Sequence, residues 1–280
     1  MLDQTNLMSQ GNCTIQDIAL IAKHQVKIEE GNQNKDIPRT FQEAWHHPDE
    51  EIRQFWREAI RKEFRSMIKR GVWRVMKKTN IGADRKCIKC KWVFNIKRNG
   101  TYRARLVACG YSQIAGVDFT ENYSPVVNDI SFRILLIIKI LFGMSSRIVD
   151  VETAFLHGDL KEDIYMNFPD GLQYMEGHEE YMPSEDCVKL EKSLYGLVQA
   201  AREWWKKLTS ILRRIGFTGG TVDPCLMFYR SEKGQVFMAI YVDDCLCIGD
   251  KEAIKEVIEK MEAEGLKLKI EENLEDYLNC

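Results

Sequence analysis

The chain lacks any apolar run long enough to cross a bilayer. Its longest, residues 134–142, is broken by Lys139, whereas a membrane helix needs about 20 consecutive apolar residues. No membrane partner is expected. It lacks a glycine-rich phosphate cradle and a nucleophile elbow, which sets aside nucleotide-loop and serine-hydrolase chemistry. Cys87 and Cys90 have zinc spacing, but no second pair follows. Cys109 stands alone and the next histidine is His157, so a structural zinc site is not expected. His178-Glu179-Glu180 does not have the spacing of a metalloprotease helix. The nine cysteines are scattered and no signal peptide precedes them. Reduced thiols in a cytoplasmic or nuclear setting are expected, not a secreted disulfide scaffold.

Overall charge is also lacking: 40 Lys and Arg face 42 Asp and Glu, a net of −2. That balance conceals a split. Residues 61–110 hold 16 basic and 2 acidic residues, a net of +14, and the remainder carries −16. Aromatic residues are interleaved in the basic block: Phe64, Trp73, Trp92, Phe94 and Tyr102. Positive charge with interspersed rings suits a phosphate backbone and stacked bases. The helical part, residues 61–70, is better explained as a solvated face. The β-rich part, residues 85–105, favours nucleic-acid or nucleotide contact.

With 280 residues and 45% hydrophobic content, the chain can build one large or two modest domains. Residues 1–40 lack periodicity and are rich in Gln, Asn and Gly, which predicts a disordered spacer. Apolar residues from Ile52 to Ile68 recur at helical spacing, and Gly71 ends that helix. Residues 88–96 and 101–110 form a predicted hairpin around Lys97-Arg98-Asn99-Gly100. Residues 129–142 are apolar nearly all round and predict a buried helix. A strand ending at Asp150 follows. Residues 171–186 are polar and predict a surface loop. Residues 199–215 and 251–264 predict two further helices. This order suits an α+β fold with helices packed on one face of an antiparallel sheet.

Two carboxylates, Asp243 and Asp244, lie between the apolar runs 236–242 and 245–249. An Asp-Asp turn joining two buried strands is predicted. Locally it fits a solvated acidic turn as well as a Mg²⁺ site. Asp150, which interrupts the apolar run Ile148-Val149-Val151, tips the balance toward a cation site. Three converging carboxylates can hold two Mg²⁺ about 3.5–4 Å apart for phosphoryl transfer.

Tyr241-Val242-Asp243-Asp244 resembles the catalytic box of reverse transcriptases. The stretch from Asp150 to Leu160, Asp-Val-Glu-Thr-Ala-Phe-Leu-His-Gly-Asp-Leu, resembles the preceding metal box in its copia-type form. Lys91-Trp92-Val93-Phe94, residues 103–108, Gly110-Tyr111-Ser112-Gln113, Tyr123-Ser124-Pro125-Val126, Ile164-Tyr165-Met166, residues 193–197 and Asp223-Pro224-Cys225-Leu226 follow the family's order and spacing. The resemblance covers residues 41–278, and so many boxes in order make it specific. Two departures, Cys109 where Lys is common and Ala201 where Pro is common, touch no metal ligand.

The resemblance implies RNA-directed DNA synthesis by a retrotransposon polyprotein. It implies right-hand polymerase fingers at about 60–127 and 157–196 and a palm at about 128–156 and 197–280. The thumb, RNase H and integrase are expected outside this fragment, which is expected to be weak or inactive alone. Asp150, Asp243 and Asp244, with the Val151 carbonyl, would bind two Mg²⁺, for which Mn²⁺ can substitute. Lys97, Arg105, Phe155, Tyr195 and Gly196 are implied at the deoxynucleoside triphosphate, with Phe155 excluding a ribose 2′-OH. Arg98, Arg103 and Tyr241 are implied at the RNA template and DNA primer. Virus-like particles in the cytoplasm, or the nucleus, are the expected setting. The rival reading is a catalytically silent nucleic-acid-binding remnant of a degenerate or domesticated retroelement.

Overall fold

The computed structural model describes residues 37–83, 85–97 and 99–271. Most of the predicted spacer, residues 1–36, lies outside them, as does Arg98. In chain order the elements are α1 (Phe41–Trp45), α2 (Glu50–Arg70), β1 (Trp73–Lys77), β2 (Cys90–Ile96), β3 (Tyr102–Ala108) and α3 (Asp129–Leu141). There follow β4 (Ser145–Val151), β5 (Asp159–Asn167), β6 (Asp186–Lys192), α4 (Ala200–Arg214), β7 (Thr218–Gly219), β8 (Leu226–Ser231), β9 (Gly234–Tyr241), β10 (Asp244–Gly249), α5 (Lys251–Ala263) and β11 (Leu268–Glu271). The chain divides into two compact units, Met1–Ala59 with Val93–Ala104, and Ile60–Trp92 with Arg105–Cys280.

The first unit is built on aromatic packing. Trp56 is fully buried and meets Phe94 and Tyr102 edge-on, at centroid distances of 5.2 and 4.6 Å. Such edge-to-face pairs place the positive ring edge against a negative ring face. In the second unit, Phe64 from the last turns of α2 meets Trp92 edge-on at 5.0 Å. Gly71 ends α2 in the left-handed region, φ +61°, and the Val72 amide donates back to the Met67 carbonyl at 3.1 Å. This is the glycine-terminated cap that the sequence predicts.

The second unit holds two antiparallel sheets. One has the order β1-β6-β5, the other β11-β4-β10-β9-β8-β7. The larger one carries the main core. Trp204, Leu208, Ile211 and Leu212 of α4 join it, as do Ala253, Ile254, Val257 and Met261 of α5. Along β10, Cys245, Leu246, Cys247 and Ile248 are all fully buried. Successive strand residues point to opposite faces. Both faces of this central strand are therefore covered. Cys245 and Cys247 act as small apolar fillers, and burial pushes the Cys247 thiol up to about 12.

Two expectations are corrected. The helix at 129–141 forms, with the Asn128 side chain capping the Ile130 amide at 2.9 Å. It is not buried all round, however. Only Phe132 and Leu135 are buried, while Ile130, Ile134, Ile137, Ile140 and Leu141 are exposed. Apolar composition does not reveal which face finds a neighbour. The segment 171–186 is not purely surface either, because Leu172 and Met175 are buried beside a short 3₁₀ turn.

The contrast along α3 can be measured. Leu135 is 2% exposed and Ile140 is 77% exposed. Leu135→Ala should destabilise the chain by about 2–5 kcal/mol. Ile140→Lys should stay within about 0.5 kcal/mol of the native value. Urea unfolding of both variants tests this, and equal losses would show that the whole helix is buried.

Candidate active site

The site grows from strand register. β4 and β10 pair antiparallel, with Asp150 opposite Asp244 and Val149 opposite Cys245. β10 also pairs with β9, and Asp244 stands opposite Tyr241. The hairpin loop therefore consists of Val242 and Asp243, with Asp244 already in the strand. This shifts by one residue the Asp-Asp turn predicted from sequence. The reason is pairing: Tyr241 and Asp244 close the ladder, so the two residues between them turn. Across the gap, the Val151 amide donates to the Asp243 carbonyl at 3.2 Å. Register and turn together bring Asp150, Asp243 and Asp244 to one end of the central strands.

The turn is strained. Val242 has φ +57°. In a two-residue hairpin loop with positive φ at its first position, glycine is the usual occupant. A β-branched residue there is an outlier, and such strain costs about 1–3 kcal/mol. The Val242 carbonyl is held by the indole N–H of Trp204 at 2.7 Å.

Charge is concentrated at this end. Asp244 is half-buried, and its carboxyl is pushed up to about 6, first by desolvation and then by the Asp243 and Asp150 charges. Lys269 of β11 stands opposite Asp150 in the β4–β11 register and partly offsets the effect. It is also paired with Glu271. Among the described residues, no three His, Cys, Asp or Glu side chains form a ready-made metal cage. The donor set nonetheless fits a hard divalent cation by its chemistry: oxygen ligands under mutual repulsion.

A second group of predicted residues also comes together. Phe155 lies on a 3₁₀ turn, Ala154–His157, that follows β4. Its ring meets Tyr195 edge-on at 5.3 Å. The Arg105 guanidinium lies over the other partner, 5.0 Å from the Tyr195 ring centre. Arg105, Tyr195 and Phe155 thus form one cation–ring–ring stack. Gly196 has φ +85°, and an added Cβ would fall 2.2 Å from the Ala108 carbonyl oxygen. The glycine is thus required by the chain's own packing, whatever else approaches it.

The remaining predicted residues are placed less tightly. Val151 is buried in the core through its side chain, and Tyr241 is partly exposed beside Asp244. Lys97 is exposed, and its amide closes the β2–β3 turn on the Thr101 carbonyl at 2.9 Å. Arg103 is half-buried in the same unit as Lys97. Sequence reasoning missed Trp204 and Lys269. The first reads as one more core position on an amphipathic helix, and the second is revealed only by a cross-strand register.

The sequence is similar to those of known proteins. The family model for reverse transcriptase (RNA-dependent DNA polymerase) matches residues 70–280. The retrovirus-related Pol polyprotein from transposon TNT 1-94 of Nicotiana tabacum is 36% identical over 218 residues, 76% of this chain and 16% of the relative. The retrovirus-related Pol polyprotein from transposon RE1 of Arabidopsis thaliana is 36% identical over 200 residues, 70% of this chain and 13% of the relative. A truncated transposon Ty1-A Gag-Pol polyprotein of Saccharomyces cerevisiae is 28% identical over 209 residues, 72% and 16% respectively. The chain spans about one sixth or less of the lengths of these relatives. Antiparallel strands presenting paired aspartates, a match over residues 70–280 and these relatives lead to one conclusion: the chain belongs to the reverse transcriptase family.

Proposed function

We propose that this chain is the nucleotidyl-transfer core of a copia-type retrotransposon polyprotein, copying an RNA template onto a DNA primer from deoxynucleoside triphosphates. The observation that carries the reading is the opposition of Asp150 and Asp244 across β4 and β10, with Asp243 in the adjoining turn. In this reading the β1-β6-β5 sheet belongs to the fingers and the six-stranded sheet with α3, α4 and α5 to the palm. Each sheet falls wholly within the segments that the family pattern gives to that part. The rest of the polyprotein, including RNase H and integrase, is the expected partner.

Asp150, Asp243, Asp244 and the Val151 carbonyl would hold two Mg²⁺ or Mn²⁺. When bound, such ions lower the pKa of an attacking hydroxyl and neutralise charge at the transferred phosphate. The protein's share is to hold two carboxylates on paired strands and a third in the tight turn beside them, so that little reorganisation accompanies the reaction. Arg105 offers a planar donor set suited to phosphate, steadied by the Tyr195 face. Phe155, braced by Tyr195, is the ring that would exclude a ribose 2′-OH. Lys97 would contact the triphosphate, Arg98 and Arg103 would neutralise backbone phosphates, and Tyr241 would contact the primer end.

Cation binding should show in stability. A carboxyl whose folded pKa exceeds its unfolded value of 3.8 costs the folded state stability as pH rises through that window, here up to about 6. In the metal-free chain, Asp244→Asn should therefore raise the melting temperature at pH 8 and leave it unchanged near pH 4. Mg²⁺ should raise the native melting temperature at pH 8. The pair Asp243→Asn with Asp244→Asn should remove that rise, and a rise that survives the pair would place the cation elsewhere.

Binding to a primer–template duplex should weaken steeply with salt, by a log–log slope of about 0.9 for each phosphate neutralised. Joint replacement of Lys97, Arg103 and Arg105 by Glu should lower both affinity and slope in fluorescence anisotropy. A slope unchanged by the triple replacement would locate the duplex on another surface.

Chemistry itself is tested in the longer polyprotein. There Asp150→Ala should abolish primer extension on RNA, and Phe155→Val should admit ribonucleotides with DNA synthesis retained. Retained extension in Asp150→Ala overturns the catalytic assignment. Sugar discrimination untouched in Phe155→Val overturns the steric one.

A further inference from the structure

The Val242 conformation needs an explanation that the hairpin itself does not supply. Nothing in the β9–β10 ladder favours a left-handed valine over the glycine that such a loop prefers. The residue two places on is Asp244, so any relaxation of Val242 toward negative φ would turn the carboxylates away from Asp150. Two contacts from outside the hairpin reach the turn: the Val151 amide donates to the Asp243 carbonyl at 3.2 Å, and the Trp204 indole N–H donates to the carbonyl of the left-handed Val242 itself at 2.7 Å.

Trp204 is itself firmly held. It is fully buried on the first turns of α4 and packs beside the His157 ring at 5.9 Å. The neighbouring residue Glu203 lies against Gly158, where an added Cβ would fall 3.1 Å from the Glu203 carbonyl carbon. This close approach ties α4 to the 3₁₀ turn that follows the Asp150 strand. The helix therefore spans both halves of the carboxylate site, touching the Asp150 side through Gly158 and the Asp243–Asp244 side through the indole.

We propose that Trp204 is a positioning residue for the carboxylate turn: its N–H holds the Val242 carbonyl, keeps Val242 left-handed and so fixes Asp243 and Asp244 beside Asp150. The inference rests on the two-metal reading and adds to it the element that sets the geometry. A buried hydrogen bond of this kind is the group that a phenyl ring removes while most of the packing stays. Glycine at 242 adopts φ +57° without strain, and so should make the indole dispensable.

The test is Mn²⁺ binding by the purified 280-residue chain, read by electron paramagnetic resonance of the free ion. Trp204→Phe should weaken binding about tenfold, the equivalent of one net hydrogen bond. Adding Val242→Gly to that variant should restore affinity to within about twofold of native. The melting temperature lost in Trp204→Phe without metal should return only in part, because glycine relieves the turn but refills no core volume. A purely structural Trp204 would show no such selective rescue. The pair Asp243→Asn with Asp244→Asn serves as the control. If the control binds Mn²⁺ like the native chain, the two-metal reading itself fails. If the control loses binding but Trp204→Phe does not, or if Val242→Gly brings no rescue, the role of Trp204 is overturned.

Discussion

Repulsion between carboxylates is the constraint around which the second unit is organised. An antiparallel ladder places Asp150 directly opposite Asp244, and the turn adds Asp243. Like charges opposite one another on neighbouring strands oppose pairing. The surrounding structure holds them there regardless. The flanking β10 residues are buried on both faces, β11 closes the outer side of β4, and a tryptophan from α4 grips the turn. Burial, and then the Asp243 and Asp150 charges, push the Asp244 carboxyl up to about 6. Sites that perform chemistry commonly store strain and charge in this way.

Much of this was legible in the residues. The helix from Glu50 to Arg70, the basic hairpin and the strand leading to Asp150 follow directly from periodicity, capping and turn chemistry. The sequence also singled out Phe155, Tyr195 and Arg105, without indicating that they would stack on each other. Other features were hidden for identifiable reasons. Strands β5 and β6 mix Lys, Glu and Asp into their alternation, so no period-two apolar pattern stands out. The one-residue shift of the turn depends on which residues close the ladder, which only pairing decides. The exposed side of α3 depends on whether a neighbour covers it, and composition carries no record of neighbours.

Glycine shows the same division between local and non-local information. Gly71 was legible as a helix stop, because that role is written in the adjacent residues. Gly196 and Gly110 were not legible in the role they play. Their main chains lie so close that a Cβ on Gly110 would fall 2.4 Å from the Gly196 carbonyl oxygen. No neighbour in sequence signals that approach. It joins the end of β3 to the loop before α4, and the Ala108 amide seals it by donating to the Tyr195 carbonyl at 2.8 Å. Arg105 and Tyr195 are thus held together by backbone as well as by their side chains.

The strand order of the larger sheet also bears on how the chain is made. β4 carries Asp150, yet both of its partners, β10 and β11, come far later in the sequence. At about 5–20 residues per second, a ribosome would expose β4 for several seconds before β10 emerges. During that interval a half-apolar strand with two open edges has only temporary cover. Pairings between distant strands form slowly, because the intervening loop must close first. The arrangement that sets three carboxylates together therefore also gives the nascent chain a window of vulnerability to chaperones, proteases and neighbouring copies of itself.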